Sequence, residues 1–176
     1  MAYGFAPPAE IAWVDGWIYW VDGQLRRLPP DTKIEGVDYV IEHMEVTQGV
    51  QDGPNSIPLV ATKPTFVRVY ARELEGYSLD DVHARLYGFR DGAPLPGSPL
   101  QPFQNTHLNL KTTLPLREEP EDTFIFLLPI SWTFIGNFQL QAEVNPNNQV
   151  FEYNFNNNLY PASPATFKAT GGERAV

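Results

Sequence analysis

The sequence predicts an all-β protein, a sandwich of about seven strands preceded by a three-stranded β-meander. Three observations carry this. The 176 residues include 17 prolines and 13 glycines, and the longest stretch free of both lies between Pro146 and Pro161. Proline removes a backbone donor and clashes with the preceding turn, so long helices are excluded. Alternating apolar and polar segments recur at spacings of about 8–20 residues between Gly, Pro and Asn turns, without βαβ alternation. Finally, 43% hydrophobic and 13% aromatic residues supply a packed core.

The meander comes first. Trp13-Val14-Asp15-Gly16 recurs as Trp20-Val21-Asp22-Gly23. Asp-Gly between alternating segments is a strong hairpin signal, because both turn residues must reach positive φ. Two such turns predict strands Ile11 to Val14, Trp17 to Val21 and Gln24 to Leu28. Two-residue turns place Ile11, Trp13, Ile18, Trp20, Leu25 and Arg27 on one face, and Trp17, Tyr19, Val21, Arg26 and Leu28 on the other. Leu28-Pro29-Pro30-Asp31 reads as an extended connector.

The remaining strands follow in order. Val37 to Gln48 precedes a turn-rich loop from Gln51 to Asn55. Thr65 to Ala71 and Val82 to Tyr87 alternate, and Phe89 to Leu95 holds a further Asp-Gly hairpin at Asp91-Gly92. His107 to Leu114, Thr123 to Leu128, Asn137 to Val144 and Ala165 to Ala169 complete the set. Arg117 to Asp122 is an acidic loop, and Asn145-Pro146-Asn147-Asn148 is a turn. The expected organisation is a meander and connector over 1–34, a sandwich over 35–170 and a tail over 171–176.

Charge and composition exclude several classes. Acidic residues outnumber basic ones 21 to 12, for a net charge of -9, and no Lys/Arg cluster offsets it. Such a field repels phosphate backbones, so nucleic acid is not an expected partner. The absence of cysteine excludes disulfides, Cys-based zinc sites and thiol nucleophiles. No apolar run approaches the ~20 residues of a membrane helix, so membrane insertion is not expected. Met1-Ala2-Tyr3-Gly4-Phe5 has neither a basic nor an apolar leader pattern, which reads as a mature fragment behind a new Met1 or a chain that never used that route.

Three segments carry a family resemblance. They are Met44-Glu45-Val46-Thr47-Gln48-Gly49-Val50-Gln51 with Ile57-Pro58-Leu59-Val60-Ala61, then Lys63-Pro64-Thr65-Phe66-Val67-Arg68-Val69-Tyr70, and Leu128-Pro129-Ile130-Ser131-Trp132-Thr133 with Leu140-Gln141-Ala142-Glu143-Val144-Asn145-Pro146. From Val40 to Phe167 the chain resembles the bacterial cell-adhesion-related Ig-like domain (CARDB), as found ahead of metalloprotease-like regions in secreted bacterial proteins. The resemblance implies an immunoglobulin-like β-sandwich, an extracellular or cell-surface setting, and adhesion or accessory binding rather than an active site. The family tends to carry Glu-x-Asn-Glu-x-Asn-Asn before its last strand. Here Glu152-Tyr153-Asn154-Phe155-Asn156-Asn157-Asn158 places Phe155 at the second Glu position.

Candidate chemistry is sparse. The Asn-rich run with Glu143 and Glu152 offers oxygen ligands of the calcium type, but few charges, and Asn more commonly closes turns. No other cofactor is expected. His43, His83 and His107 lack His-Glu-x-x-His spacing, so no metal site is expected. Glu118 with Glu119 and Glu121 with Asp122 are adjacent rather than opposed, unlike glycosidase carboxylates. Ser56 and Ser131 lack a nucleophile-elbow context, and Trp132 is expected in the core. The candidate interface is aromatic: Trp17 and Tyr19 with Arg26 beside them, joined by Tyr3 or Phe5. Such residues either pack as a small second core, meet a protein partner, or stack on sugar rings. The expected function is a non-catalytic interaction, adhesion or spacer module. The alternatives are a subunit that self-assembles by strand exchange or fibre-like packing, and a module that binds polysaccharide.

Overall fold

The computed structural model describes residues 11–14, 17–21, 25–28, 37–76, 81–152 and 154–171. Contacts divide the chain into two units, Met1–Glu35 and Gly36–Val176. In the first unit, β1 (Ile11–Val14), β2 (Trp17–Val21) and β3 (Leu25–Leu28) form an antiparallel sheet in that order. Val14 pairs with Trp17 across the first hairpin, as the Asp15-Gly16 turn requires. The second hairpin differs from expectation. Val21 pairs with Leu25 and Trp20 with Arg26, so three residues rather than two separate the strands. One residue of register reverses the facing of all of β3. Arg26 therefore shares the row of Ile18 and Trp20, and Arg27 is the residue opposite Tyr19. The expected placing of Arg26 rested on a two-residue turn, whereas the backbone register sets Arg26 opposite Trp20, and Tyr3 and Phe5 lie outside the described residues.

The second unit is a two-sheet sandwich. Its strands are β4 (Tyr39–Thr47), β5 (Leu59–Val60), β6 (Phe66–Glu73), β7 (Ala84–Arg90), β8 (Ala93–Pro94), β9 (Phe124–Leu127), β10 (Gly136–Val144) and β11 (Leu159–Thr170). One sheet has the order β4-β6-β9, the other β5-β11-β10-β7-β8. Leaving β5 aside, the first, second and fifth of the remaining seven strands form one sheet. The third, sixth and seventh form the other, with β8 extending it. This is the strand allocation of an immunoglobulin-like sandwich. Among the described residues no helix is long and apolar enough to cross a membrane.

Period-two patterning explains the core. Phe138, Leu140, Ala142 and Val144 of β10 and Ala84 and Leu86 of β7 are buried, facing Val67, Val69 and Ala71 of β6 and Phe124 and Phe126 of β9. On β4 the buried apolar residues are Tyr39 and Ile41, then Met44 and Val46. The phase changes at Glu42, where the pairing with β6 slips between Ile41 and His43. A β-bulge there keeps both halves of the strand facing inward. Trp132, in the β9–β10 connection, is fully buried as expected, and its indole N–H donates to the Pro96 carbonyl at 2.9 Å. Its ring lies against Gly88, where a Cβ would overlap it.

Local turn chemistry holds where the sequence is explicit. Phe89 pairs with Pro94 and Arg90 with Ala93, leaving Asp91 (φ 51°) and Gly92 (φ 78°) as the two left-handed turn residues. Two expectations fail and one strand was not foreseen. His107 to Leu114 is not a strand: only Leu108 bridges Val82, Leu110 is buried, and Leu114 is exposed. The two-residue β5, parallel to the end of β11, is too short to carry a periodic signal. β11 itself begins well before Ala165, because Pro161 and Pro164 sit in a bulge opposite Gln141. The Gln141 side-chain amide donates to the Pro161 and Ala162 carbonyls at 2.9 and 3.3 Å, replacing ladder bonds that proline interrupts.

The topology separates the two ends of the sandwich. At the leading pole, Asp38 accepts from Leu74 N–H and Val37 bridges Glu152, beside the β10–β11 loop. At the trailing pole, the Thr170 carbonyl accepts from Ala61 N–H, and Thr62 donates to Thr133 in the β9–β10 connection. The nine residues of β10 span the distance between these poles, about 30 Å at ~3.3 Å per residue.

Replacing Gly88 with alanine drives a methyl group into the Trp132 ring. Overpacking of this kind costs about 1–3 kcal/mol. Urea unfolding of Gly88→Ala is expected to show a loss in that range, and an unchanged midpoint would contradict the Trp132–Gly88 contact.

Candidate functional site

Four groups of chemistry-bearing residues are placed by the sandwich. The first is Glu152, whose side chain is fully buried at the leading pole. Its carboxylate accepts from Tyr39 N–H at 2.8 Å, from the Asn145 side-chain amide at 2.5 Å and from the Asn158 amide at 2.5 Å. Burial pushes its pKa above the ordinary carboxylate value against the pull of these hydrogen bonds. Asn145, Asn158 and Tyr39 N–H thus form a clamp on one carboxylate, while Asn157 donates to Asp38 at 2.9 Å. Asn154 also accepts from Asn156 N–H at 3.0 Å, closing a local turn, while Asn145, Asn147 and Asn148 take left-handed conformations. Glu143 points elsewhere, accepting from the Tyr87 hydroxyl at 2.5 Å. Glu143 and Glu152, weighed in the sequence as calcium-type oxygens, are engaged with separate donors.

The second group lies on the outer face of the β4-β6-β9 sheet. Glu45 accepts from the Tyr70 hydroxyl at 3.0 Å and from Arg117 at 2.8 and 3.2 Å. Arg117 also donates to the Gln51 carbonyl at 2.6 Å, and Arg68 stacks over Tyr70 at 5.1 Å from the ring centre. Burial pushes the Tyr70 hydroxyl up to about 12, so it remains a donor to Glu45 at neutral pH. His43 packs beside Tyr70 with ring centres 5.7 Å apart. Burial lowers the His43 pKa, Glu45 opposes that shift, and Arg117 adds to it. A cavity of about 330 Å³ opens here between Glu42, His43, Tyr70, Leu114, Pro115 and Arg117. Tyr70 and Arg117 are paired with Glu45, and Glu42 with Arg72, while the buried His43 Nε2 has no hydrogen-bond partner. The sequence read Arg117 to Asp122 as one solvated loop. Instead Arg117 is tied to Glu45, and Asp122 is held by Lys111 at 2.8 and 2.9 Å.

The third group joins two of the three histidines. The rings of His83 and His107 lie 6.1 Å apart, with Asp81 3.8 and 3.6 Å from them. His83 Nδ1 faces the Thr106 carbonyl at 3.2 Å. Sequence distance hid this pairing, which the Val82–Leu108 bridge creates. Among the described residues, no group of three or more His, Asp or Glu side chains is arranged to hold a metal ion.

The fourth group is apolar and exposed. Phe155 stands where the family motif carries its second Glu, and packs edge-to-face against Phe151 at 6.1 Å. Phe151 is 65% exposed. At the opposite pole Ile130, Phe134 and Ile135 are exposed. Of these positions the sequence singled out only Phe155, as a departure from the family motif; Phe151, Phe134 and Ile135 lie in connections without periodicity. For the expected aromatic interface in the first unit, Trp17, Tyr19 and Arg26 are placed by backbone register alone.

No family model and no curated protein matches the chain. Among solved structures, the chain is similar to the CARDB domain of the PF1109 protein from Pyrococcus furiosus, crystallised in complex with di-metal ions. The TM-score is 0.46 and the identity 18%, over 80% of this chain and 94% of that one. The solution structure of the same domain gives a TM-score of 0.44 and 21% identity, over 78% and 97%. CARDB is the family that the sequence motifs resemble.

Two expectations test this geometry. Glu152→Gln leaves one of three buried N–H donors without its acceptor, which costs about 1–3 kcal/mol, measured by chemical denaturation. An unperturbed variant would show that the clamp does not hold the pole. His43 has a lowered folded pKa, so its stabilising contribution is full above the ordinary value of 6.5 and is lost as pH falls through the depressed value. Wild type is expected to lose stability between about pH 7 and pH 5 more steeply than His43→Gln. Parallel pH profiles would remove His43 from the account.

Proposed function

We propose that the chain is a non-catalytic interaction or spacer module of an extracellular or cell-surface protein. The observation that carries this reading is the separation of the poles. The chain joins the sandwich at Val37 and leaves it after Thr170, with the length of β10 between. A domain joined in this way adds its long axis to the reach of whatever it connects. The polar clusters support the same reading. Glu152, Glu45 and Asp122 are each engaged with donors of the fold itself, so they serve to lock loops rather than to turn over a substrate.

No cofactor enters this reading. The partner is a protein, and Phe151 with Phe155 and the meander aromatics Trp17 and Tyr19 are the surfaces offered to it. Self-assembly remains the second reading, favoured by the exposed apolar positions at both poles, Phe151 and Ile135.

Light scattering coupled to size exclusion separates the two. A mass near 19.9 kDa at every concentration, with and without calcium, is the outcome expected of a stand-alone module. Growth of a larger species with concentration would replace it with the self-assembling reading.

A further inference from the structure

We infer that the groove between β4 and β11 accepts an extended segment of a partner polypeptide, added as a strand to the free edge of β11. The inference rests on the interaction reading and names where and how that interaction occurs.

β10 covers one side of β11. On the other side only Ala169 and Thr170 are paired, with Leu59 and Val60 of β5. The Thr170 carbonyl accepts from Ala61 N–H on that side at 2.7 Å. Backbone groups alternate along a strand, so Lys168 and Thr166 direct their N–H and C=O to the same side. Among the described residues, no strand of the sheet lies beyond them.

The neighbouring edge positions are closed by amide side chains that imitate a strand. Asn55 accepts from Val46 N–H at 2.7 Å and donates to the Met44 carbonyl at 2.8 Å. Gln51 donates to the Val46 carbonyl at 2.8 Å. Gln48 does the same for both backbone groups of Val60, at 2.8 Å each. The fold thus blunts the edges of β4 and β5, as exposed edges require, and leaves the stretch Ala165 to Lys168 unblunted.

That stretch borders a groove of about 670 Å³, with Met44, Leu59 and Phe167 among its apolar lining. Four residues of added strand need about 13 Å. An edge of alternating donors and acceptors is complementary to another backbone, which is the recognition mode of strand addition. Charge narrows the occupant further. The chain carries 21 acidic residues against 12 basic, yet no Asp or Glu lines the groove, and its charged or protonatable amines and imidazoles are Lys168 and His43. The occupant is therefore an extended segment with small apolar side chains at alternate positions and neutral or acidic flanks.

The test uses the full chain and the synthetic peptide acetyl-Glu-Val-Thr-Val-Thr-Val-Glu-amide, with a version N-methylated at alternate residues. Adding the first peptide to about 1 mM should shift the Thr166 and Lys168 amide resonances and slow their hydrogen exchange. N-methylation should weaken binding by about tenfold or more. Lys168→Glu should weaken it by a similar factor. Thr166→Pro, which removes an outward N–H and no β10 ladder bond, should abolish the response. The inference is overturned if both amides are unmoved, if the N-methylated peptide binds equally, or if protection appears only as protein concentration rises. None of these outcomes touches the spacer reading, which stands on the monomer mass and the separation of the poles.

Discussion

A carboxylate carried into the interior of a β-sandwich must find hydrogen-bond donors there, because burial removes the water that would otherwise solvate it. Glu152 finds three. Its partners come from the start of β4, from the residue after β10 and from the residue before β11. One side chain therefore ties together the strand that opens the sandwich and the loop joining its last two strands. With Val37 bridging Glu152 through the backbone, the leading pole is closed without a disulfide, in a chain that has no cysteine. The position of the pole, and hence the direction in which the chain passes through the domain, depends on this clamp.

The same economy appears along the sides. Asn55, Gln51 and Gln48 place side-chain amides where a neighbouring strand would place its backbone. An amide carries one acceptor and one NH2 donor, so it can satisfy an exposed edge without offering it for further pairing. Asn55 and Gln51 close the edge of β4 in the smaller sheet, and Gln48 closes β5 at the margin of the larger one. At the centre, Trp132 fills the space that Gly88 leaves open, and Arg90 donates to the Trp132 carbonyl at 2.9 Å. Packing fixes the spacing of the sheets, and side-chain amides fix their borders.

Local chemistry was legible in the sequence and long-range chemistry was not. Asp91-Gly92 announces its hairpin because both residues tolerate positive φ, and alternation from Asn137 onward announces β10. The second meander turn carries the same Asp-Gly signal yet spans three residues, since turn length is set by pairing rather than by the dipeptide. That one residue moves Arg26 to the other row. Pro161 and Pro164 disguised the first half of β11, because the compensating Gln141 amide lies on another strand. Glu152 was visible as a motif position, but its partner Tyr39 lies 113 residues away in sequence, and nothing local distinguishes a clamp from a turn or a ligand. The His83–His107 pair and the groove beside β11 were hidden for the same reason.

The sandwich is a rigid body with its two poles held apart. Because the chain lacks cysteine, spin labels can be placed cleanly by Phe151→Cys and Ile135→Cys, at exposed positions on the opposite poles. Dipolar spectroscopy of the full chain should give one narrow distance distribution centred at about 30 Å. A broad distribution, or a centre far below that distance, would contradict the account.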